Sequence, residues 1–428
     1  MIRLLHFSDA HIDTAAHGRL DPQTGLPVRV MDFLISLDVI VDTAITEKVD
    51  LVIFAGDAYK DRSPSPTYQR EWGKRIIRLS NAGIPTLLLV GNHDLSPAIG
   101  RAHALQEFST LQVPHVRVIH KPQYLTPSEL EGIALQVIAI PWVSRAGMAE
   151  TLQNEGVTGI ELDREVEAQI EVMIKDLLDR ADPTLPLILT AHATVQGAVY
   201  GGERLVSLGG DIVLSGSLVR DPRIDYVALG HIHKAQDLNY DLAAGIQSQP
   251  PIVYPGSIEK VDFGEATDDK FFVIADIEKG KTTVNWRKLE GRRYFDRFVR
   301  VKRGDPIQEM LLASLPEKME LKDAMLRLVV EYPRDMEVFI DEPALRAAAE
   351  GAFEFHFIRR PQADRTRILI PEGSHVSQMS PVDLVAEYWK TISEPEDESR
   401  ELTRLAQEII IESSQEGMPG ESNDFHSS

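Results

Sequence analysis

Five short polar motifs occur in a fixed order along the first 233 residues, and each follows an apolar, β-rich run. Asp9-Ala10-His11 follows Leu4 to Phe7, Gly56-Asp57 follows Leu51 to Ala55, and Gly91-Asn92-His93-Asp94 follows Thr86 to Val90. His192 follows Leu187 to Thr190, and Gly230-His231-Ile232-His233 follows Tyr226 to Leu229. A chain patterned this way sets a polar cluster on the loop leaving strand after strand. Loops at the carboxyl ends of strands are where open α/β sheets build their sites.

The surrounding periodicity predicts strands at 2–8, 51–55 and 86–90 alternating with helices near 28–48, 67–82 and 99–109, the pattern of a layered α/β domain with helices outside. After a strand from Val137 to Trp142, a helix near 161–180 precedes the run to His192, and shorter strands with Gly and Pro turns extend from Ile212 to Asp276. The pattern resets around Lys279 to Arg293. Residues 295–370 read as a small α+β unit, with strands at Phe295 to Val301, Leu326 to Tyr332 and Arg367 to Ile370 and helices near 306–318 and 341–351. Two amphipathic helix candidates, 381–393 and 397–414, precede a polar tail expected to be disordered. At 428 residues the chain exceeds the size one core usually reaches. The expected divisions are 1–290, 291–372, a helical segment 373–415 and a tail 416–428.

The absence of cysteine excludes disulfides, thiolate metal ligands and Cys-based catalysis, and it suits a reducing compartment. No run is long and apolar enough to span a bilayer, and the start lacks the features of a signal peptide, so a cytoplasmic protein with no membrane partner is expected. A net charge of −21 opposes a polyanionic partner, but ten acidic residues against two arginines lie between Thr391 and Ser428. Elsewhere cations cluster. Gly291 to Arg303 holds Arg292, Arg293, Arg297, Arg300, Lys302 and Arg303 against Asp296, and Arg70, Lys74 and Arg78 fall on one face of a helix. Such clusters are also ordinary on solvated helix faces.

Aspartate, asparagine and imidazole together form a mixed oxygen and nitrogen set that favours Mn, Fe or Zn over Mg or Ca. A carboxylate between two cations about 3.5 to 4 Å apart can hold both, and Asp57 is placed to do so. The ligand-type residues of Asp9-Ala10-His11 and His231-Ile232-His233 sit two apart, which on a strand end points both side chains to the same side. Taken singly, each motif has a plainer explanation. An isolated Asp-x-His arises by chance, His192 can be a core histidine, and Asp57 can cap a turn. In this order they read jointly as a two-metal phosphoesterase site. The remaining histidines, His6, His103, His115, His120, His356, His375 and His426, are expected to be structural, with His17 the exception to watch because it follows the first motif.

The motif set resembles the calcineurin-like metallophosphoesterase superfamily. The segment Tyr254-Pro-Gly-Ser-Ile-Glu-Lys-Val-Asp-Phe-Gly-Glu265 is similar to a narrower signature, that of the SbcD-type nuclease subunits of bacterial SbcCD, relatives of the archaeal and eukaryotic double-strand-break repair nuclease. The resemblance implies a metallophosphoesterase sandwich with a small capping domain and a helical tail. It implies that Asp9, His11, Asp57 and His233 bind one divalent metal and Asp57, Asn92, His192 and His231 the other, as a manganese pair. It also implies that His93 acts on the scissile phosphate or the leaving 3′ oxygen, giving 5′-phosphorylated products, with Asp94 orienting its imidazole. One departure is visible: where several family members carry a histidine three residues past the Asp of Gly56-Asp57, this chain has Lys60, which can still contact phosphate.

By the same resemblance, 291–372 would be a capping domain that helps orient DNA, with Lys60, Arg70, Lys74, Arg292 and Arg293 as candidate DNA contacts. No Gly-x-x-x-x-Gly-Lys-Ser/Thr loop is present, so ATP dependence would come from a partner, an SbcC-like ABC ATPase with a coiled coil, in a heterotetramer around a homodimer. The tail helices would lay Val382, Leu384, Val385, Tyr388, Trp389, Leu402, Leu405, Ile409 and Ile410 on that coiled coil, or pack on their own chain. Two further readings stay open: a phosphoesterase for small phosphodiesters or phosphoproteins, and a scaffold without turnover, against which the full ligand set speaks.

Overall fold

The computed structural model describes residues 1–14, 18–95, 101–143, 160–201, 213–241, 245–362, 380–391 and 400–409. His17, His375, His426, the strand expected at Arg367 to Ile370 and the tail from 410 onward lie outside these residues. Compactness divides the chain into two units, Met1–Arg297 with Leu315–Leu328 and Arg346–His356, and Phe298–Ser314 with Val329–Leu345 and Phe357–Ser428.

In chain order the strands are β1 (Ile2–Phe7), β2 (Leu51–Phe54), β3 (Thr86–Leu89), β4 (Val116–Ile119), β5 (Gln123–Leu125), β6 (Gln136–Ile140) and β7 (Leu187–His192). There follow β8 (Thr194–Val195), β9 (Val213–Leu214), β10 (Tyr226–Gly230), β11 (Gln236–Asp237), β12 (Tyr240–Asp241), β13 (Ile246–Gln247), β14 (Ile252–Tyr254), β15 (Lys270–Glu278) and β16 (Lys281–Leu289). Two six-stranded sheets carry the first unit, in the orders β16-β15-β1-β2-β3-β4 and β11-β14-β10-β7-β6-β5. Within each sheet the motif-bearing strands run parallel to one another, while β1 also pairs β15 antiparallel. β1 pairs β2 with Phe7 opposite Phe54, and β7 pairs β10 with His192 opposite Gly230, so their carboxyl ends finish level.

Side-chain alternation makes these sheets two-faced. Leu4, Leu51, Ile53, Leu87 and Leu89 of the first sheet pack against Val137, Ile188, Tyr226, Ala228 and Val253 of the second, forming a core between them. On its other face the first sheet sets Leu5, Phe7, Val52 and Phe54 against Val30, Phe33 and Leu37 of α1 (Val28–Thr46) and Trp72 and Ile76 of α2 (Pro66–Asn81). The second sheet packs Ile138, Leu189 and Leu229 on Val166, Ile170 and Ile174 of the helix Ile160–Asp179. The result is the layered α/β sandwich with outer helices that the periodicity predicts. The helix expected near 99–109 is short, Gln106–Thr110.

After β16 a three-stranded sheet has the order β17-β18-β19, with β17 at Tyr294–Arg300, β18 at Met325–Pro333 and β19 at Glu354–Gln362. The unit division passes through all three strands. β19 is a strand the periodicity did not predict: it is largely exposed and ends in Arg-Arg-Pro-Gln, so pairing rather than a buried face defines it. Helices follow at Ile307–Ser314, Glu342–Ala348 and Pro381–Thr391, and 400–409 is helical. No helix among the described residues is long and apolar enough to cross a membrane.

One polar tie crosses the apolar layer between the two sheets. His6 on β1 faces the Tyr226 hydroxyl through Nδ1 at 3.0 Å and the Leu229 carbonyl through Nε2 at 3.1 Å, both on β10. A carbonyl only accepts, so Nε2 carries a proton. Burial pushes the pKa of His6 down to about 3. The unfolded chain therefore binds a proton at this position between about pH 6.5 and 3 that the folded chain refuses, and stability falls as pH drops through that window. Urea unfolding of the wild type from pH 7 to 4 should lose stability more steeply than His6→Gln, which can hydrogen-bond but not titrate. Parallel slopes would remove His6 from the acid response.

Candidate metal centre

The five motifs meet at the level carboxyl ends of β1, β2, β3, β7 and β10. They do not meet through strand geometry. β1 ends at Phe7, and Asp9 and His11 have φ of 51° and 39°, so a left-handed loop, not the two-residue period of a strand, brings them together. Asp57 and His231 likewise have φ of 64° and 97°. Backbone bonds hold this geometry: Asp9 N–H donates to Gly56 O at 2.9 Å, Ala10 N–H to Asp57 O at 2.8 Å and Ile12 N–H to Ala58 O at 3.2 Å.

The ring tautomers follow from what each outer nitrogen touches. His11 Nδ1 lies 3.2 Å from Tyr59 O and His192 Nδ1 lies 2.6 Å from Ala55 O, so each donates outward. His233 Nδ1 donates to Glu265 Oε1 at 2.7 Å. Each inner Nε2 is left with a lone pair. His11 Nε2 and His233 Nε2 then face each other at 3.1 Å, with Asp57 Oδ2 3.8 Å from His11 Nε2. On the other side His192 Nε2 lies 2.9 Å from Asn92 Oδ1 and 3.4 Å from Asp57 Oδ2, while His231 Nδ1 is 3.2 Å from the same Asn92 oxygen. Acceptor atoms this close repel unless a cation or proton lies among them. Ligand atoms of Asp9, His11 and His233, and of Asp9, Asp57 and His192, fall within 4.8 Å of one another in buried groups. The arrangement fits two cations, with Asp57 reaching both sides and no thiolate to select a soft metal.

Charge shifts report the same crowding. Burial raises the Asp9 carboxyl, and the nearby Asp57 charge adds to it while His192 and His233 oppose it. Burial alone would also raise Asp57, but His192, His93 and His11 hold it well below the ordinary carboxylate range. Burial lowers His192, yet the Asp57 and Asp9 charges raise it overall to about 9.

His93 is at the mouth, half-buried, its Nδ1 2.8 Å from Lys60 O and its ring edge-on to His11 at 5.1 Å between centroids. Asp94 does not orient it. Instead the Asp94 carboxylate, fully buried, accepts from Asp57 N, Ala58 N and Gly91 N, each at 2.9 Å, pinning the Gly56-Asp57 and Gly91-Asn92 loops together. Burial, with the Asp57 charge, lifts its pKa to about 7. The carbonyl of Lys60, not a carboxylate, holds the His93 ring. Buried Asp13 in turn fixes that loop by accepting from Lys60 N at 2.5 Å and Asp61 N at 3.1 Å.

The candidate DNA contacts divide. The Lys60 side chain is exposed. Arg70 and Lys74 are exposed but both pair with Glu71, at 2.9 and 2.8 Å. Arg78 is tied to Asp38 at 2.8 Å and to Asp42. Arg292 is not a surface contact: it bonds both Asp32 oxygens at 2.7 and 2.8 Å, donates to Asp323 O and lies over the Phe353 ring at 4.2 Å. Arg293 is exposed and donates to Lys322 O at 3.0 Å.

Several residues at the centre carried no local sequence signal. Trp142 stands against His231 and His192, at 5.0 and 6.1 Å between ring centroids, and walls one side. Glu265, Ser257 and Lys270 lie behind His233. Only Glu265 and Ser257 fall inside the Tyr254 to Glu265 signature, where 32 residues separate Glu265 from the histidine it meets.

Residues 2–235 match the family model described as calcineurin-like phosphoesterase. The chain is 28% identical over 289 residues to the SbcD component of the nuclease SbcCD of Escherichia coli strain K12, covering 65% of this chain and 66% of that protein, just under two thirds of each. It is 26% identical to the Bacillus subtilis protein of the same name, over 68% of this chain and 73% of that one. It is 25% identical to the DNA double-strand break repair protein Mre11 of Archaeoglobus fulgidus, over 69% of this chain and 61% of that one.

Close packing makes the motif glycines necessary. A Cβ at Gly91 would sit 2.1 Å from Asp57 Oδ1 and 2.6 Å from its amide nitrogen. Gly91→Ala should therefore displace Asp57 and weaken divalent-metal binding in a calorimetric titration with manganese; wild-type affinity in the variant would contradict this geometry.

Proposed function

The chain belongs to the calcineurin-like phosphoesterase family, and we propose that it is the nuclease subunit of an SbcCD-type complex, hydrolysing phosphodiester bonds at DNA ends and hairpins in repair and recombination. The convergence of acceptor atoms into two adjoining groups sharing Asp9, with Asp57 Oδ2 between His11 and His192 and His93 at the mouth, carries the phosphodiesterase part of this reading. The similarity to proteins named for SbcCD and for double-strand break repair supports DNA as substrate and an SbcC-like ATPase as partner.

On this reading Asp9, His11, Asp57 and His233 hold one manganese ion and Asp57, Asn92, His192 and His231 the other. The pair supplies charge neutralisation on the phosphoryl oxygens and a more acidic water. Asp57 keeps the two groups in one frame, and Asp94 locks the two loops that carry Asp57 and Asn92. His93 donates through Nδ1 to Lys60 O, which leaves Nε2 as the nitrogen that meets substrate. Only with a second proton, on Nε2, can it neutralise charge building on the leaving 3′ oxygen and pass that proton to it. Trp142, against the rings of His231 and His192, limits water on that side.

Residues 291–372 act on this reading as a capping domain over DNA, and the exposed Lys60, Arg70, Lys74 and Arg293 are the candidate phosphate contacts. Exposed Tyr388, Leu402, Leu405 and Ile409 on the tail helices support docking to a coiled coil, in a heterotetramer built on a homodimer. The cysteine-free composition suits the cytoplasm. A second reading, a phosphoesterase for small diesters or phosphoproteins, is favoured by one observation: carboxylates already engage most of the cations that the sequence offered to DNA.

The purified chain with manganese, given an end-labelled hairpin, a linear duplex and a small chromogenic diester, separates the two. Cleavage of DNA is expected, with His93→Ala lowering turnover by about 10² to 10⁴-fold while metal content is kept. Hydrolysis of the diester alone, unrescued by an SbcC-like partner and ATP, would favour the second reading.

A further inference from the structure

Behind the centre lies a buried ion pair that the chemistry above does not use. Glu265 and Lys270 are 1% and 2% exposed, and their charged atoms are 2.6 Å apart. Buried pairs are weak contributors to stability, because desolvating two charges offsets most of their attraction. This pair is also fully engaged. Lys270 Nζ donates to Glu265 Oε2, to Ser257 Oγ at 2.7 Å and to the backbone carbonyl of His233 at 3.2 Å. Glu265 Oε1 accepts from His233 Nδ1, while its Oε2 also accepts from Ser257 Oγ at 3.2 Å and Val261 N at 3.0 Å. His233 is thus gripped twice, at its ring by Glu265 and at its carbonyl by Lys270. The strap that carries Ser257 is pressed onto the same carbonyl: Ser257 N–H donates to it at 3.2 Å, and a Cβ at Gly256 would lie 2.5 Å from it.

His11 and His192 lean on backbone carbonyls, whereas His233 leans on a carboxylate. A carboxylate behind an imidazole fixes its tautomer and strengthens Nε2 as a donor to metal. We propose that Glu265 and Lys270 are positioning residues that fix the His233 ring with its Nε2 lone pair turned toward His11, and so set the affinity of the metal held by His11 and His233 without touching substrate. This rests on the two-metal reading above.

The test is a manganese titration of the full-length protein by calorimetry, with metal counted independently by elemental analysis. Two double variants avoid stranding a buried charge. Glu265→Gln with Lys270→Met keeps an acceptor for Nδ1, and Glu265→Leu with Lys270→Met removes it. One of the two ions should bind about tenfold more weakly in the Gln form and about a hundredfold more weakly in the Leu form, the other ion staying near wild type. Equal affinities in all three proteins, or an equal loss in both variants, would overturn the proposal. If the Leu form does not fold, the metal-free wild type still decides: long-range nitrogen–proton correlation should show His233 protonated at Nδ1, and protonation at Nε2 alone would refute it. A wild type that binds two ions but spares DNA would count against the nuclease reading and leave this inference standing.

Discussion

Lone pairs drawn from four loops and the last residue of β7 are confined to one buried space, and the rest of the molecule is arranged around keeping them there. The imidazoles of His11, His192 and His233 commit their outer nitrogens to protein acceptors, so their crowded inner nitrogens are the ones left to meet a cation. Water is excluded from Asp9, His11 and His192, which are essentially without exposed surface. In a low-dielectric space such opposition is costly unless a cation resolves it. The outward hydrogen bonds therefore do more than hold rings in place: by fixing tautomers they decide that the cluster selects a metal over a network of neutral hydrogen bonds.

Holding that cluster requires backbone conformations that side chains resist. Asp9, His11, Asp57 and His231 all have positive φ, at roughly 1 to 3 kcal/mol each for non-glycine residues. Strain of this kind persists only where the surroundings over-determine the loop. Here the loop leaving β1 is stitched to the loop leaving β2 through Gly56, Asp57 and Ala58, and Asp94 stitches the latter to the loop leaving β3. His231 N–H, at the end of β10, donates back to the Asp9 carboxylate at 3.1 Å. The second sheet is tied in through His192 Nδ1, which reaches Ala55 O at the end of β2. Strand ends from both sheets thus share one hydrogen-bonded frame, and the His6 tie between β1 and β10 lies beneath it.

The fold was legible in the sequence because its strands are apolar runs buried on both faces and its helices carry one apolar stripe, as in Trp72, Ile76 and Leu79 of α2. β19 was not, since its exposed, arginine-rich residues take their conformation from β18. At the centre, residue identity announced the ligand types but not their directions. Asp94 stands beside His93 in sequence yet turns the other way, to three amides of the neighbouring loops, because a buried carboxylate goes where donors are. Arg292 sits in a basic run, and nothing local reveals that Asp32, 260 residues away, neutralises it. Glu265 could be found only by asking what a metal-type histidine leans on, a question about space that spacing along the chain does not answer.

That same rule, that charge is spent where a partner is near, shapes how the protein can meet a polyanion. Glu71 takes Arg70, Lys74 and Arg75; Asp38 takes Arg75 and Arg78; Glu331 takes Arg300; and Asp296 takes Arg327. Each pair cancels cationic field that would otherwise attract phosphate at long range, and long-range attraction is what gives nucleic-acid binding its sequence-independent strength. A chain of net charge −21 in which these cations are locally neutralised is poorly equipped to hold DNA by electrostatics alone. Its affinity for a phosphodiester must then be concentrated at the metal centre, where a divalent pair would reverse the sign of the local field over a few ångströms. On the proposed reading this division has a physical logic: the catalytic chain recognises one phosphate closely and leaves retention of the duplex to its partner, so that a free chain does not coat DNA it is not meant to cut.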